Sequence, residues 1–278
     1  MRWTPGDRGN VEDARGRSGG VGIPLGIGGV VILLIGSWLT GVNLFDVVGG
    51  GGGATDVVAE RPATTSPEEE KLVDFVDAVT GDIQHTWSQK IGNYQPTRTV
   101  LFRDGIQSAC GMSSAATGPF YCPGDRKVYL DLSFFGDLHQ KLGAPGDFAQ
   151  AYVLAHEIGH HVQNLTGTLE SAPFNGNANQ RSVRVELQAD CYAGVWGHEA
   201  AKPGRFAAGR VELDPGDVEE GLNAASAIGD DRLQRQTQGY VVPDAFTHGS
   251  SQQRTRWFMT GLKSGNVNSC DTFNAAQL

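Results

Sequence analysis

Hydrophobic residues recur at helical spacing in six stretches of the chain. In the first stretch, Leu72, Phe75 and Val79 fall on one face of a helix. The same periodicity predicts helices at residues 67–92, 133–142, 147–165, 178–201, 214–229 and 250–263. We expect the first of these helices to begin after Ser66, because serine caps helix N-termini and Pro67 suits the first helical position.

Apolar and β-branched runs between the first two predicted helices indicate strands. Residues 97–105 predict a strand that ends in a turn. The runs 118–122 and 126–134 are separated by the sequence PGD at 123–125, which predicts a hairpin. A small antiparallel sheet followed by helices corresponds to the α+β class.

One stretch near the start of the chain carries no charged residue from Ser18 to Phe45. A transmembrane helix needs about 20 apolar residues, whereas the apolar part of a signal peptide has about 7–15. We therefore predict an uncleaved transmembrane helix at residues 19–45. The four arginines of residues 1–18 place that segment in the cytoplasm, because positively charged flanks stay on the cytoplasmic side. This single-pass arrangement puts the rest of the chain outside the cytoplasm.

Five consecutive glycines, residues 49–53, follow the predicted span. Glycine-rich segments behave as flexible tethers, so residues 46–65 are predicted to link the span to the folded part of the chain. The remaining residues, 66–278, are sufficient to bury one hydrophobic core. We therefore predict a single extracytoplasmic domain over this range.

Net charge and cysteine usage restrict the possible partners and compartment. The net charge of −9 argues against a nucleic-acid partner, because such surfaces need clustered Lys and Arg. The four cysteines contain no C-x-x-C motif, and their even number suits two disulfides in an exported domain, with three possible connectivities. We favour Cys110 with Cys122, which flank a short loop rich in Gly and Ser, and hence Cys191 with Cys270. Four buried free thiols are the alternative.

The sequence AHEIGHHVQ at residues 155–163 contains the spacing H-E-x-x-H. On a helix, His156 and His160 lie about 40° apart, so both imidazoles project from one face. His161 points away from that face, and we expect it on the surface or in a second layer. Two histidines at this spacing, with Glu157 between them, are typical of a zinc site in which the glutamate is the general base.

A hydrolytic zinc site needs a third protein ligand and leaves the fourth position to water. A metzincin would have Gly and His where this chain has Gln163 and Thr166, so that source of the ligand is excluded. The next long predicted helix offers Glu186, with Asp190 one turn later. We predict that Glu186 is the third ligand and that Asp190 orients His156.

The order H-E-x-x-H followed by E-x-x-x-D resembles the gluzincin branch of metallopeptidases. More closely, the chain resembles a bacterial family of neutral zinc metallopeptidases that are single-pass membrane proteins. The resemblance covers nearly the whole chain except the predicted linker, and rests on the blocks RGNVEDARG, GPFYCPGDRKVYLDLSFF, HEIGHHVQ, ELQADCYAGVW and FTHGSSQQRTRWF. It implies a zincin-like domain in which a peptide substrate lies along an edge strand, for which RKVYLDL at 126–132 is the candidate.

The predicted function is hydrolysis of peptide bonds by a membrane-anchored zinc metallopeptidase. Zn²⁺ would activate a water, and Glu157 would act as the general base and pass the proton to the leaving amine. His248 and Tyr240 are candidates for stabilising the oxyanion, and Arg254 is expected to make a structural salt bridge.

Two other functions remain open from the sequence. One is a catalytically inactive, zinc-stabilised binding or scaffold module at the membrane surface. The other is a membrane-anchored interaction protein without a metal. The sequence does not identify the peptide or protein substrate, and it leaves the oligomeric state unknown.

Overall fold

The computed structural model describes residues 1–16, 65–171, 174 and 176–278. The predicted transmembrane helix at 19–45 and nearly all of the predicted linker at 46–65 lie outside these residues. Within them, no helix is both long enough and apolar enough to cross a membrane. The membrane span therefore stays a prediction.

The described residues form six strands and eight α-helices, which confirms the α+β class. The strands are β1 (Val11–Asp13), β2 (Thr99–Phe102), β3 (Gly105–Ser108), β4 (Gly111–Ser114), β5 (Phe120–Cys122) and β6 (Lys127–Asp131). The helices are α1 (Pro67–Lys90), α2 (Ser133–Gln140), α3 (Asp147–Leu165), α4 (Thr168–Ser171), α5 (Ala178–Ala200), α6 (Asp217–Ala227), α7 (Asp230–Gln238) and α8 (Ser251–Ser264). All six predicted helices are present, whereas α4 and α7 are too short and too polar to show a clear periodicity.

The main sheet is mixed, so the prediction of an antiparallel sheet is wrong. Its strand order is β1-β2-β6-β5, in which β1, β2 and β6 are parallel and β5 runs antiparallel to β6. The predicted hairpin between β5 and β6 is confirmed, with residues 123–126 as its loop. The strands β3 and β4 form a separate two-stranded sheet between β2 and β5 in the chain.

This strand order also corrects the predicted substrate strand. Residues 126–132 contain β6, which is paired with β2 on one side and β5 on the other. Its backbone groups are therefore occupied on both sides. In the described part of the chain, β5 and β1 form the two edges of the main sheet.

Residues 1–16 pack against the domain that was predicted to begin at residue 66. The strand β1 pairs with β2, and Val11 lies opposite Thr99. Nearer the N-terminus, Trp3 packs edge-on against Phe75, with the ring centroids 5.6 Å apart. Ala14 is buried in the smaller of two hydrophobic clusters. This strand could not be predicted from the sequence, because three residues are too few to establish an alternating pattern.

The hydrophobic core lies between the main sheet and the long helices. Leu101 and Leu130 from the sheet, Ile83 from α1, and Leu154 and Ile158 from α3 are all fully buried in one cluster. The helix α3, which carries the H-E-x-x-H motif, therefore packs its apolar face into the core. Its opposite face is left for polar side chains.

The helices α5 and α8 cross at two glycines. A Cβ atom on Gly261 would lie 2.8 Å from the backbone nitrogen of Val195, and one on Gly194 would lie 2.7 Å from the backbone nitrogen of Leu262. Backbone atoms cannot rotate away as a side chain can. The two helices therefore approach more closely here than any larger residue would permit.

Both predicted disulfides are present. Cys110, in the turn between β3 and β4, is bonded to Cys122 at the end of β5. Cys191 on α5 is bonded to Cys270 near the C-terminus. The first bond joins the small sheet to the main sheet, and the second holds the C-terminal region against α5.

The glycine crossing leads to a prediction about stability. Gly261→Ala should lower the free energy of unfolding by about 1–3 kcal/mol or more, because the added methyl group meets the backbone of α5. The matched control is Gly136→Ala on α2, where a Cβ atom has no neighbour within 4 Å. The control should be neutral or more stable by up to about 1 kcal/mol. Urea unfolding with the disulfides intact measures both, and equal stability of the two variants would contradict the close crossing.

Candidate metal centre

The structure brings the three predicted ligands together between α3 and α5. His156 Nε2 lies 3.1 Å from Glu186 Oε2, and His160 Nε2 lies 3.5 Å from Glu186 Oε1. One ligand atom from each side chain lies within 4.8 Å of the others. Gly159 permits this approach, because a Cβ atom there would lie 3.1 Å from the carbonyl oxygen of Ala189 on α5.

These donor atoms fit a zinc ion. Zinc binds imidazole nitrogen and carboxylate oxygen at about 2.0–2.2 Å, so two ligands of a tetrahedral ion lie about 3.3 Å apart. The two nitrogen–oxygen distances at this site, 3.1 and 3.5 Å, lie on either side of that value. Two histidines and one glutamate are also a donor set of catalytic zinc sites. His156, His160 and Glu186 can therefore hold the metal.

Asp190 fixes the ring of His156. It is fully buried on α5, and its Oδ1 lies 2.8 Å from His156 Nδ1. An ionised carboxylate only accepts hydrogen bonds, so Nδ1 carries a proton, and Nε2 is left as the ring nitrogen that faces Glu186 and can bind a metal. The predicted contact between Asp190 and His156 is thus present.

Gln163 fixes the second ring in the same way. Its Nε2 donates to the carbonyl oxygen of Val185 at 2.8 Å, so its Oε1 faces His160 Nδ1, also at 2.8 Å. The Nδ1 of His160 therefore donates, and its Nε2 faces Glu186. In the sequence, Gln163 only excluded a metzincin, and its contact with His160 was not predicted. Its position three residues after His160, on the same face of the helix, was the available signal.

Arg254 on α8 compensates the buried charge of Asp190. Its Nε and Nη2 each donate to a different carboxylate oxygen of Asp190 at 2.9 Å, and Tyr152 donates a further hydrogen bond to Oδ1. Burial alone would raise the pKa of Asp190, but Arg254 and His156 together hold it below its ordinary value. The expected salt bridge of Arg254 is present, and it lies directly behind a candidate ligand.

The two glutamates of the site have opposite pKa shifts. Burial raises the pKa of Glu157 above its ordinary value, although His160 and His156 oppose this shift. Burial would also raise the pKa of Glu186, but the same two histidines hold it well below its ordinary value. Glu186 is therefore the stronger anion, as suits a ligand, and Glu157 is the better proton carrier.

His248 lies close to the cluster, in the loop before α8. Its side chain is 51% exposed, so the ring is only partly removed from water. Desolvation lowers the pKa of His248, but Asp230 and Glu186 raise it above its ordinary value. Asp230 Oδ2 accepts hydrogen bonds from the backbone amides of Thr247, His248 and Gly249 at 2.8, 2.7 and 3.0 Å. Its Oδ1 lies 3.2 Å from His248 Nδ1. The carboxylate of Asp230 thus contacts both the loop before α8 and the imidazole ring of His248.

Tyr240 and His161 are the two remaining side chains that the sequence singled out. Tyr240 is 63% exposed, and its role stays a prediction. His161 is fully buried, so of the two expected positions, the surface or a second layer, the surface is excluded. Its Nδ1 lies 2.9 Å from the hydroxyl oxygen of Tyr121, and its Nε2 lies 2.6 Å from the carbonyl oxygen of Gln95. Since Tyr121 is on β5, His161 ties α3 to the edge of the sheet.

A second group of carboxylates lies at the start of α3 and α6. Asp147, Asp217 and Glu220 could also offer oxygens within 4.8 Å of one another. The α-ammonium group of Met1 lies 3.3 Å from Asp147 and 3.2 Å from Asp217. A cation of the chain itself already compensates these carboxylates, so we assign no metal to them.

The fold and this site are consistent with a zincin-like domain. The chain belongs to the family described as "Putative neutral zinc metallopeptidase", whose model matches residues 1–273. Zinc is therefore implied both by the family and by the donor atoms of the site.

Two relatives show how far the similarity extends. The "Uncharacterized protein YpfJ" of Escherichia coli strain K12 is 44% identical, over 98% of this chain and 99% of its own length. The "Uncharacterized protein Rv2575" of Mycobacterium tuberculosis strain H37Rv is 42% identical, over 77% of this chain and 75% of its own length. No solved structure matches the chain.

The buried ion pair behind His156 leads to a second prediction. Arg254→Met should cost about 3–5 kcal/mol of stability, because it leaves the charge of Asp190 uncompensated. Combining Arg254→Met with Asp190→Asn should recover part of that loss, since neither charge is then buried. Arg256→Met, at an exposed position on the same helix, is the control.

Denaturant unfolding of the two single variants, the double variant and the control measures the coupling. If the losses of the two single variants simply add in the double variant, Arg254 does not act through Asp190.

Proposed function

We propose that this protein hydrolyses peptide bonds with a zinc ion held by His156, His160 and Glu186. One observation carries the proposal: fixed acceptors hold both Nδ1 atoms, so that both Nε2 atoms face the carboxylate of Glu186. Such preorganisation is typical of metal-ligating histidines. When bound, zinc would supply Lewis acidity, which activates a water and polarises the scissile carbonyl.

Glu157 is the proposed general base. It is buried next to the histidines, and its raised pKa lies closer to neutral pH than that of an exposed glutamate. Its carboxylate would accept a proton from the attacking water and then deliver it to the leaving amine. A purely structural metal site has no need of such a residue, so Glu157 favours the enzyme over the inactive scaffold module.

His248 is the proposed oxyanion stabiliser. Asp230 accepts from its Nδ1, and the raised pKa of His248 favours the charged ring, in which both nitrogens are donors. Its Nε2 would then donate to the oxygen that becomes negative during attack. Tyr240 is a weaker candidate, because no contact described here connects its exposed side chain to the ligands.

The proposed substrate is an extended peptide, or a segment of a protein, that adds to β5. An edge strand offers unpaired backbone groups to which such a chain can bond. The hydroxyl group of Tyr121 on β5 contacts His161 and Asn164 of α3 at 2.9 and 2.8 Å. These contacts hold the edge strand beside the helix that carries the motif. The strand β5 thus replaces β6 as the candidate.

The two disulfides support an oxidising, extracytoplasmic location for the domain. Attachment to a membrane through residues 19–45 remains part of the proposal. The negative net charge continues to favour a peptide over a nucleic acid as the partner.

The metal assignment can be tested on the purified full-length chain. It should contain close to one zinc ion per chain by elemental analysis, and His156→Ala or His160→Ala should remove most of it. His139→Ala, at an exposed position on α2, is the control and should keep the zinc. Full zinc content in both ligand variants would rule out this site.

A further prediction separates the roles of Glu157 and Asp190. Glu157→Gln should keep zinc but lose about 10²–10⁴ in peptidase rate, because the amide cannot accept the proton. Asp190→Ala should weaken zinc affinity or activity by about 10–100-fold, and added zinc should restore part of the activity.

Zinc titration and peptide-library cleavage measure both variants. Activity of Glu157→Gln at the wild-type rate would contradict the mechanism. Zinc binding without cleavage of any peptide by the wild-type protein would instead favour the scaffold module.

A further inference from the structure

The first described part of the chain ends at residue 16, and the second begins at residue 65. One ion-pair cluster joins these two ends. Arg15 Nη1 lies 3.1 Å from a carboxylate oxygen of Glu69, and Arg15 Nη2 lies 2.8 Å from one of Glu70. The side chain of Arg15 is only 1% exposed. The beginning of α1 is therefore in direct contact with the end of the N-terminal segment.

Further contacts continue along α1. Arg8 Nη1 lies 2.6 Å from Glu70 and Arg8 Nε lies 2.7 Å from Asp74. The carboxylate of Asp77 accepts from the backbone amides of Arg8 and Asn10 at 3.1 and 2.9 Å. Acidic side chains along one face of α1 thus bind successive polar groups of the N-terminal segment.

Arg2 makes a third contact of the same kind, with Glu212 at 2.7 Å and Asp214 at 2.9 Å. Arg2, Arg8 and Arg15 are three of the four arginines that suggested a cytoplasmic N-terminus. In the structure, all three are paired with carboxylates of the domain. Their presence in the sequence therefore has an explanation that does not involve membrane orientation.

A single crossing of the membrane by residues 19–45 is incompatible with these contacts. The hydrocarbon core of a bilayer is about 30 Å thick, and one crossing would put residues 16 and 65 on opposite sides of it. Ion pairs of about 3 Å cannot form across that distance. The pairing of β1 with β2 would be lost as well.

We propose that residues 1–16 and 65–278 lie on the same side of the membrane and fold as one domain. Arg8 and Arg15 then serve as ion-pair partners of α1, and Arg2 as a partner of Glu212 and Asp214, instead of acting as orientation signals. The proposal does not depend on zinc or on peptidase activity.

Thiol labelling of the full-length chain tests the shared compartment. Thr4→Cys and Lys71→Cys each place a thiol at an exposed position, one on each side of residues 17–64. A membrane-impermeant maleimide is added to spheroplasts before or after lysis, with a cytoplasmic thiol protein as the control for integrity. We expect both variants to show the same labelling pattern. Labelling of one before lysis and of the other only after lysis would overturn the proposal.

A double-mutant cycle on the full-length chain tests the docking itself. Arg8→Glu and Asp74→Arg should each lower the melting temperature by roughly 2–4 °C, and the double variant should recover at least half of the combined loss. Arg8→Glu with Asp137→Arg is the matched control, because Asp137 pairs with Lys141 on α2, and should show no recovery. Equal recovery in the two double variants, or none in either, would overturn the docking of the N-terminal segment on α1.

Discussion

The buried ion pair between Arg254 and Asp190 is the interaction on which the metal centre depends. A carboxylate without solvent contact stays ionised only if its charge is balanced nearby, and Arg254 supplies that balance through two hydrogen bonds. Asp190 can then act purely as an acceptor toward His156. A protonated Asp190 could donate as well as accept, and the tautomer of the ring would no longer be determined.

Three helices must approach closely for this pair to form. Arg254 comes from α8, Asp190 from α5 and His156 from α3, so the geometry of the ligands depends on the spacing of three backbones. Gly194 and Gly261 bring α5 and α8 together, and Gly159 allows α3 to approach α5. These glycines supply no ligand atom themselves, yet the close helix contacts that they allow determine where the ligand atoms lie.

Which features could be predicted from the sequence depends on how far apart in the chain the interacting residues lie. His156 and His160 share a helix face by periodicity alone, so local spacing was sufficient. Arg254 reaches a partner 64 residues away, and no local pattern contains that contact. The prediction of the sheet failed for the same reason. The strand β1 is only three residues long, and its partner β2 lies on the far side of the apolar segment in the chain. The N-terminal arginines suit a cytoplasmic flank and an ion-pair surface equally well, and composition cannot distinguish the two.

The order of translation gives these long-range contacts a further consequence. The candidate ligands emerge from the ribosome well before Arg254, and before Cys270, whose carbonyl oxygen accepts a hydrogen bond from Gln188, 82 residues earlier. Gln188 in turn contacts Gln163, which orients His160. A nascent chain therefore carries the motif, Asp190 and Gln163 before the later residues that hold these two orienting side chains in place. The site can be completed only once Arg254 and Cys270 have been synthesised.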